Sequence, residues 1–156
     1  AWRQIAHKYI DWRIDIFGHG EEEKKLNDMI EEYHLCDSII IHKPTDNIYA
    51  EYMNSSFYVL SSRYEGFGLV LIEAMSCGVP CISFDCPHGP SEIISHGEDG
   101  IIVPLGNISE LAKSIEWMIT NKREREAMSI AARTNARRYQ ENAIMPRWIE
   151  LFNKIN

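Results

Sequence analysis

Five short runs of residues, rich in β-branched side chains, alternate with helical segments along the 156-residue chain. The runs cover residues 14–17, 38–42, 57–60, 81–84 and 101–103. Short strands that each lead into a helix are typical of a parallel sheet with helices on both faces. The pattern therefore predicts an α/β fold, with longer helices over residues 21–33, 69–77 and from 107 onward, and shorter ones near residues 47–53 and 90.

The segment after the third predicted strand is the part of the chain best suited to bind a ligand. Gly66 and Gly68 allow a ligand to approach the backbone closely. The amides of Phe67, Gly68 and Leu69 open the next helix, where they lack intrahelical partners and favour a phosphate or diphosphate. Glu73 follows about one turn later, and its two acceptor oxygens suit a vicinal diol. Phosphate and diol together describe a nucleotide sugar.

Several linked motifs extend this pattern. Glu65 and Glu73 enclose a Gly-Phe-Gly sequence, and Gly-Pro-Ser-Glu at residues 89–92 and Asp-Gly-Ile-Ile-Val at 99–103 follow in order. The series resembles the donor-binding domain of family 4 retaining glycosyltransferases, over nearly the whole chain. The resemblance implies a Rossmann-like parallel sheet, the C-terminal half of a GT-B fold. It also implies that Glu73 binds the ribose, that Glu65 faces the donor sugar, and that the amides of residues 67–69 take the diphosphate.

Five further residues are predicted to line the donor site. Arg63 is the one Lys or Arg between residues 44 and 105, against eight acidic side chains, so the amides must do much of the work of holding a diphosphate. Gly18 and Gly20 lie where the first strand leads into a helix, and either let a nucleotide lie close or serve as turn glycines. His42 and Lys43 follow the second strand, where the resemblance implies packing against the base.

No Asp-x-Asp motif is present to hold a divalent metal, so we expect no metal and no cofactor other than the donor substrate. A zinc site built from three cysteines and one histidine is an alternative, although the spacing does not match common zinc ligand sets; its members are Cys77, Cys81, Cys86 and His88. The four cysteines form no C-x-x-C pair, which favours reduced thiols in a cytoplasmic protein. A net charge of −7 argues against nucleic-acid binding.

Length and 45% hydrophobic content predict a single domain over residues 1–156, and the resemblance implies that this domain binds a nucleotide sugar. Trp2, Ile5 and Tyr9 recur at helical spacing with no capping residue before them, which predicts that the chain begins inside a helix. We therefore expect the domain to be truncated at its N-terminus. The resemblance implies that an acceptor-binding domain precedes it, so we expect this 156-residue chain alone to transfer no sugar.

Three apolar stripes in the helical tail predict core packing; they comprise Ile108, Leu111, Ala112, Ile115 and Met118, then Met128, Ala131, Ala132 and Tyr139, then Ile144, Trp148, Leu151, Phe152 and Ile155. The third stripe is the expected exception, because the resemblance implies a final helix that crosses to the partner domain and leaves Trp148 and Phe152 exposed or packed differently here. Basic residues cluster between 122 and 138. They are interpreted as a solvated helix face, with docking on an anionic membrane that carries a lipid-linked acceptor as the alternative.

The residues and the resemblance together predict a retaining hexosyltransferase that uses a UDP-hexose or UDP-hexosamine. Its expected acceptor is a glycan or a lipid-linked glycan of surface polysaccharide synthesis, reached from the inner face of the membrane. Fold alone does not fix chemistry, so two alternatives stay open. One is a sugar-nucleotide epimerase or a phosphorylase on the same architecture. The other is a non-catalytic module that binds nucleotide sugars.

Overall fold

A computed structural model describes residues 1–155 of the chain. The chain divides into two compact units, residues 1–48 and the remainder from Tyr49 onward. Strands β1 and β2 form a two-stranded sheet, and strands β3, β4 and β5 form a three-stranded sheet. Every strand pair is parallel, which confirms the predicted α/β class; the five strands form two sheets, because β2 and β3 share no ladder.

The first unit contains one sheet and one helix. Its elements are two 3₁₀ turns at Trp2–Gln4 and Ala6–Lys8, strand β1 at Ile14–Phe17, helix α1 at Glu23–Glu32 and strand β2 at Ile39–His42. The helix predicted at the start of the chain is wrong in type, because the segment forms two 3₁₀ turns instead of an α-helix. No side chain caps either turn, and each ends after three residues, although Trp2 and Ile5 are buried as their spacing indicated. The two strands pair in register from Ile14 with Ile39 to Phe17 with His42.

The second unit carries the larger sheet. Its elements are α2 at Ile48–Asn54, β3 at Tyr58–Leu60, α3 at Leu69–Ser76, β4 at Cys81–Asp85, α4 at Pro90–Ile93, β5 at Gly100–Pro104, α5 at Ile108–Thr120, α6 at Lys122–Ala136, a 3₁₀ turn at Arg137–Tyr139 and α7 at Glu141–Ile155. Strand β4 lies in the centre and pairs with β3 and β5. The predicted strands differ from these by at most one residue at either end.

The core of the second unit surrounds strand β4. Cys81 and Ile82 on this strand are completely buried, as are Leu71 and Met75 on helix α3 and Met118 on helix α5. Burying a side chain of this size stabilises the fold by about 1.5–3 kcal/mol. Helix α3 is therefore firmly held on the sheet, and its amino end lies in the connection that leaves the carboxyl end of β3.

The tail helices match their sequence pattern in part. Asn107 caps helix α5, since its Oδ1 accepts a hydrogen bond from the Glu110 amide at 3.0 Å. The first stripe is buried apart from Ile108, which begins the helix and is 53% exposed. In the third stripe Trp148 is 49% exposed and Phe152 is 57% exposed, so the expected exception is confirmed. Along residues 1–155 no helix has the length and apolar character of a membrane span.

Candidate functional site

The connection between β3 and α3 adopts the conformation that its glycines permit. We call residues 65–69 the glycine loop. Gly68 precedes the first residue of α3 and has a φ of +93°, a left-handed value that favours glycine. No side chain caps the helix at this position. Among the described residues, the N–H groups of Phe67, Gly68 and Leu69 donate to no protein acceptor, and we call them the open amides in the sense that they are unpaired. Phe67 and Leu69 are exposed, whereas Gly68 is buried.

The carboxylates of Glu65, in the glycine loop, and of Glu73, on α3, both affect the pKa of one phenol. Burial raises the pKa of Tyr58 to about 12, and the carboxylates of Glu65 and Glu73 add to that rise. Both glutamates therefore lie within electrostatic range of the same side chain. The pKa of the Cys86 thiol, directly after β4, is also raised, by burial first and then by Glu65. Glu65 and Glu73 are each partly exposed.

Glu73 has a hydrogen-bond partner that the sequence analysis did not identify. The phenol of Tyr52, on helix α2, donates to Glu73 Oε2 at 3.4 Å. Tyr52 is buried, and its ring contacts Tyr58 edge-on with the ring centroids 5.7 Å apart. Burial, Tyr58 and Glu73, in that order, raise the pKa of Tyr52, so its hydroxyl stays a donor at neutral pH. Tyr52 therefore helps to fix the orientation of the Glu73 carboxylate.

The loop that follows β4 packs directly against the glycine loop. His88 has a positive φ of 64°, and its ring lies edge-on to Tyr64 with a centroid distance of 6.2 Å. Gly89 has a φ of +106°, and a Cβ at this position would overlap the carbonyl oxygen of Phe67. Glycine is required here because the two backbones meet with no room for a side chain. Two loops at the carboxyl ends of parallel strands thus form one surface, the usual ligand edge of such sheets.

Arg63 is exposed and precedes the glycine loop by two residues. No other Lys or Arg occurs in the sequence from Tyr49 to Leu105, and eight acidic side chains occur between residues 44 and 105. Arg63, the open amides and the amino end of α3 contribute positive potential at this edge.

The remaining predicted site residues lie in the first unit. His42 stacks on Phe17 with a centroid distance of 4.6 Å, and its Nε2 donates to Asp15 Oδ1 at 2.7 Å. Partial burial raises the pKa of Asp15, but hydrogen bonds from His42 and Arg13 outweigh it and hold the pKa below its ordinary value. His42 therefore makes its hydrogen bond and its ring contact within the β1–β2 sheet. Lys43 is exposed.

Gly18 and Gly20 follow strand β1, as predicted. A Cβ at either position would meet nothing within 4 Å, although the φ of +155° at Gly18 is a backbone conformation that favours glycine. The Gly18 amide donates to the His42 carbonyl at 3.1 Å, which extends the β1–β2 ladder by one bond. Binding of a nucleotide by Gly18, Gly20, His42 or Lys43 stays a prediction.

Two surface grooves lie away from the glycine loop. One, of about 470 Å³, is lined by residues 140–149. The other, of about 710 Å³, lies between helices α5 and α6 and the segment before β5. Neither includes a residue between 61 and 89. Within residues 1–155, no group of three His, Cys, Asp or Glu side chains is placed to hold a metal ion, so the four-residue zinc alternative finds no support.

Comparison with known proteins defines the family. The model of the glycosyl transferases group 1 family matches residues 1–135. The chain is 34% identical over 148 residues, 95% of its length, to an uncharacterized glycosyltransferase of Haemophilus influenzae. It is also 34% identical over 152 residues, 97% of its length, to the amylovoran biosynthesis glycosyltransferase AmsD of Erwinia amylovora. The chain therefore belongs to the glycosyl transferases group 1 family, and it spans 42% of the length of each of these two relatives.

A solved structure agrees with this assignment. The chain superposes with a TM-score of 0.90 on a variant of S. aureus TarM in complex with fondaparinux, alpha-GlcNAc-glycerol and UDP. The two are 28% identical, and the match covers 97% of this chain and 31% of the TarM chain. The chain matches the C-terminal domain of glycosyltransferases with the GT-B fold, as its motifs predicted.

Proposed function

We propose that the chain is the donor-binding domain of a retaining glycosyltransferase that uses a UDP-hexose or UDP-hexosamine. The acceptor is a glycan or a lipid-linked glycan of surface polysaccharide synthesis, at the inner face of the membrane, and an acceptor-binding domain forms the other wall of the active site. The amylovoran biosynthesis relative supports the polysaccharide assignment, and the TarM variant in complex with UDP supports the uridine donor.

The main support for the proposal is the arrangement of three amides and two carboxylates in one short segment. Three open amides at the start of α3 lie in the same short segment as two carboxylates, Glu65 and Glu73, that act on a common phenol. Amides at a helix start suit a diphosphate, and carboxylates suit hydroxyl groups. A nucleotide sugar presents a diphosphate between two polyhydroxyl groups, the ribose and the hexose. Glu73, fixed by Tyr52, binds the ribose, and Glu65 faces the hexose.

The proposed reaction needs no nucleophile from this chain. The bond from the anomeric carbon to the diphosphate oxygen breaks, and the acceptor oxygen attacks the same face of the sugar. The departing phosphate oxygen takes the proton of the acceptor hydroxyl. The chain contributes by holding the diphosphate on the amides of residues 67–69 with help from Arg63, and by orienting the sugar through Glu65.

Within the first unit, we propose that Gly18, Gly20, His42 and Lys43 contact a nucleoside. Gly18 and Gly20 leave space for the nucleotide, since a Cβ at either position would meet no neighbour. Lys43 is exposed, and His42 presents a ring that is stacked on Phe17, so the segment after β2 offers an edge for the base.

A ligand panel tests the proposal. Thermal unfolding of the chain is followed with UDP, GDP, ADP, uridine, UDP-glucose, UDP-galactose and the UDP-N-acetylhexosamines, each at several millimolar. A ligand that binds only the folded state raises the melting temperature. We expect stabilisation by UDP and UDP-sugars that exceeds stabilisation by uridine. Equal melting temperatures with every ligand would contradict the proposal. Isomerised UDP-sugar in the mixture, or phosphate-dependent release of sugar phosphate from a glucan, would favour an epimerase or a phosphorylase instead.

A further inference from the structure

The 3₁₀ turn at Arg137–Tyr139 contacts the glycine loop directly. The ring of Tyr139 meets the ring of Phe67 edge-on, with the centroids 5.8 Å apart and an interplanar angle of 77°. Edge-to-face pairs of this kind are favourable beyond the area that they bury. Phe67 remains 39% exposed, so the Tyr139 ring restrains a side chain that the core does not enclose.

The same turn holds helix α4. Arg138 Nη2 donates to the carbonyl oxygens of Glu92 and Ile93, each at 2.8 Å, and the Tyr139 hydroxyl donates to the Glu92 carbonyl at 3.1 Å. The last carbonyls of a helix have no intrahelical partner, and cationic side chains that bind them also favour the negative end of the helix dipole. The turn therefore fixes the carboxyl end of α4.

Helix α4 in turn contacts the glycine loop at two points. Gly89, just before the helix, lies against the carbonyl of Phe67, and the Ile93 side chain ends 3.6 Å from where a Cβ of Gly68 would be. Any shift of α4 would therefore move the backbone that carries the open amides. The turn therefore contacts the glycine loop directly, through an aromatic ring pair, and indirectly, through α4.

The turn itself is anchored. The Arg138 guanidinium lies over the Tyr139 ring, 4.8 Å from its centroid. One turn earlier, Asn135 on α6 donates to the buried carboxylate of Asp99 and, at 3.4 Å, to the Ile93 carbonyl. Arg138 and Tyr139 also lie beyond residue 135, where the match to the family model ends.

We infer that Arg138 and Tyr139 are positioning residues that hold the amides of residues 67–69 in the conformation that accepts the diphosphate. This inference rests on the proposed function. The effect is confined to the phosphate half of the ligand, because Glu73 lies further along α3, whose Leu71 and Met75 are fully buried, and takes its own orientation from Tyr52.

Binding of two ligands, UDP and uridine, distinguishes a positioning role from a purely structural one. UDP and uridine are titrated into the chain and into Tyr139→Leu, and binding is followed by NMR. An aromatic pair of this kind is favourable by about a factor of five, which is the upper limit of what its loss can cost in binding. We therefore expect UDP affinity to fall by up to about fivefold while uridine affinity stays unchanged. Tyr139→Phe keeps the ring and should restore most of the UDP affinity. Tyr33→Leu is the matched control, because Tyr33 also carries an arginine over its ring, with Arg3 at 4.2 Å, but lies in the first unit.

Arg138→Gln tests the contact through α4 independently, because it removes the hydrogen bonds from Arg138 to α4. It also provides a measurement if Tyr139→Leu does not fold. It too should lower UDP affinity and leave uridine affinity unchanged. Unchanged UDP affinity in both variants, or an equal fall for UDP and uridine, would overturn the inference. A wild-type chain that binds UDP no better than uridine would instead overturn the proposed diphosphate site itself, which makes the two failures distinguishable.

Discussion

The Tyr52 phenol donates a hydrogen bond to Glu73 Oε2 at 3.4 Å, so a side chain of helix α2 orients the carboxylate that we assign to the ribose. Tyr52 is 6% exposed and is held between its edge-on contacts with Tyr49 and Tyr58. A carboxylate oriented by a buried donor loses less freedom when it binds a diol than a freely rotating one. The proposed ribose site thus includes a residue 21 positions before Glu73.

The first prediction follows from this pair. Glu73→Gln should weaken UDP binding by about 1–3 kcal/mol, because one charge-assisted acceptor is lost. Tyr52→Phe should weaken it by about 0.5–1.5 kcal/mol, because the carboxylate loses its orienting donor. The double variant should cost less than the sum of the two, since both changes act on one carboxylate. NMR titration or calorimetry with UDP measures all three values.

Tyr49→Phe is the control for this cycle, since Tyr49 lies on the same helix and is 51% exposed. It should leave UDP affinity unchanged. Unaltered UDP affinity in Glu73→Gln would contradict the ribose assignment, and strictly additive effects would contradict the role of Tyr52.

The second prediction concerns Glu65. Because it faces the sugar in the proposed site, Glu65→Gln should leave UDP affinity unchanged and remove the additional affinity of the best UDP-sugar over UDP. In an enzyme that joins this chain to an acceptor domain, the same change should lower kcat. Titrations with UDP and with the UDP-sugar measure the difference.

Glu126→Gln on exposed α6, where Glu126 pairs with Lys122 at 3.8 Å, should change neither value. A Glu65→Gln variant with an undiminished preference for the UDP-sugar would exclude Glu65 from the sugar site.

Local sequence patterns predicted the elements of this fold well. Strand β4 is largely apolar, with Cys81, Ile82 and Phe84, and has turn residues on both sides. The Asn107 cap is a contact between residues three positions apart. The α-helix expected at the start did not form, since periodicity without a cap does not specify helix type. The third stripe is amphipathic yet exposed, because periodicity identifies an apolar face and not what covers it.

Contacts between residues that lie far apart in the sequence could not be predicted from local patterns. Tyr139 was assigned to a core stripe, but its hydroxyl reaches Glu92, 47 residues earlier, and its ring reaches Phe67. Base contact by His42 stays a prediction, and the partners that the sequence did not indicate are Phe17 and Asp15 across the β1–β2 pair. Such partners depend on strand register and on helix placement, which no local pattern encodes.

The third prediction tests the close approach of two loops. Gly89→Ala should destabilise the second unit by about 2–4 kcal/mol, because the new Cβ would overlap the Phe67 carbonyl and the φ of +106° disfavours alanine. Urea unfolding measures the loss. Gly97→Ala is the matched control, since Gly97 also has a positive φ of 81° but a Cβ there meets nothing within 4 Å. Its cost should stay near about 1 kcal/mol. Equal losses in the two variants would contradict the backbone contact.

The fourth prediction concerns the buried carboxyl of Asp99, which is 1% exposed. Burial raises the pKa of Asp99 above its ordinary value of 3.8, and hydrogen bonds from Asn135 and from the Ser95 amide limit the rise. A raised folded pKa means that the contribution of Asp99 to stability is fully present below pH 3.8 and declines as the pH rises through the folded pKa. Asn135→Leu removes a donor and raises that pKa further.

The cost of Asn135→Leu should therefore grow with pH, by about 1 kcal/mol between the protonated and the ionised form, because hydrogen bonds to charged groups are stronger than those to neutral ones. Urea unfolding of wild type and variant from pH 4 to pH 7.5 gives the difference. Thr134→Val, a neighbouring change that removes a bond to the Ile130 carbonyl at 3.0 Å, should cost the same at every pH. A pH-independent cost for Asn135→Leu would contradict the linkage to Asp99.

The last prediction is the strength of donor binding by this chain alone. A diphosphate at the proposed site meets three open amides and Arg63, within a stretch that carries eight acidic side chains. Few cations and many like charges keep the affinity low, so we expect the chain to bind UDP no tighter than the millimolar range, about −4 kcal/mol. We also expect it to transfer no sugar, because transfer requires the acceptor to be held in register with the donor, and we assign the acceptor surface to a domain outside these residues. Calorimetry measures the first expectation, and chromatography of labelled UDP-sugar with acceptor extract measures the second. Micromolar UDP affinity, or transfer by the purified 156-residue chain, would contradict its role as a donor-binding half.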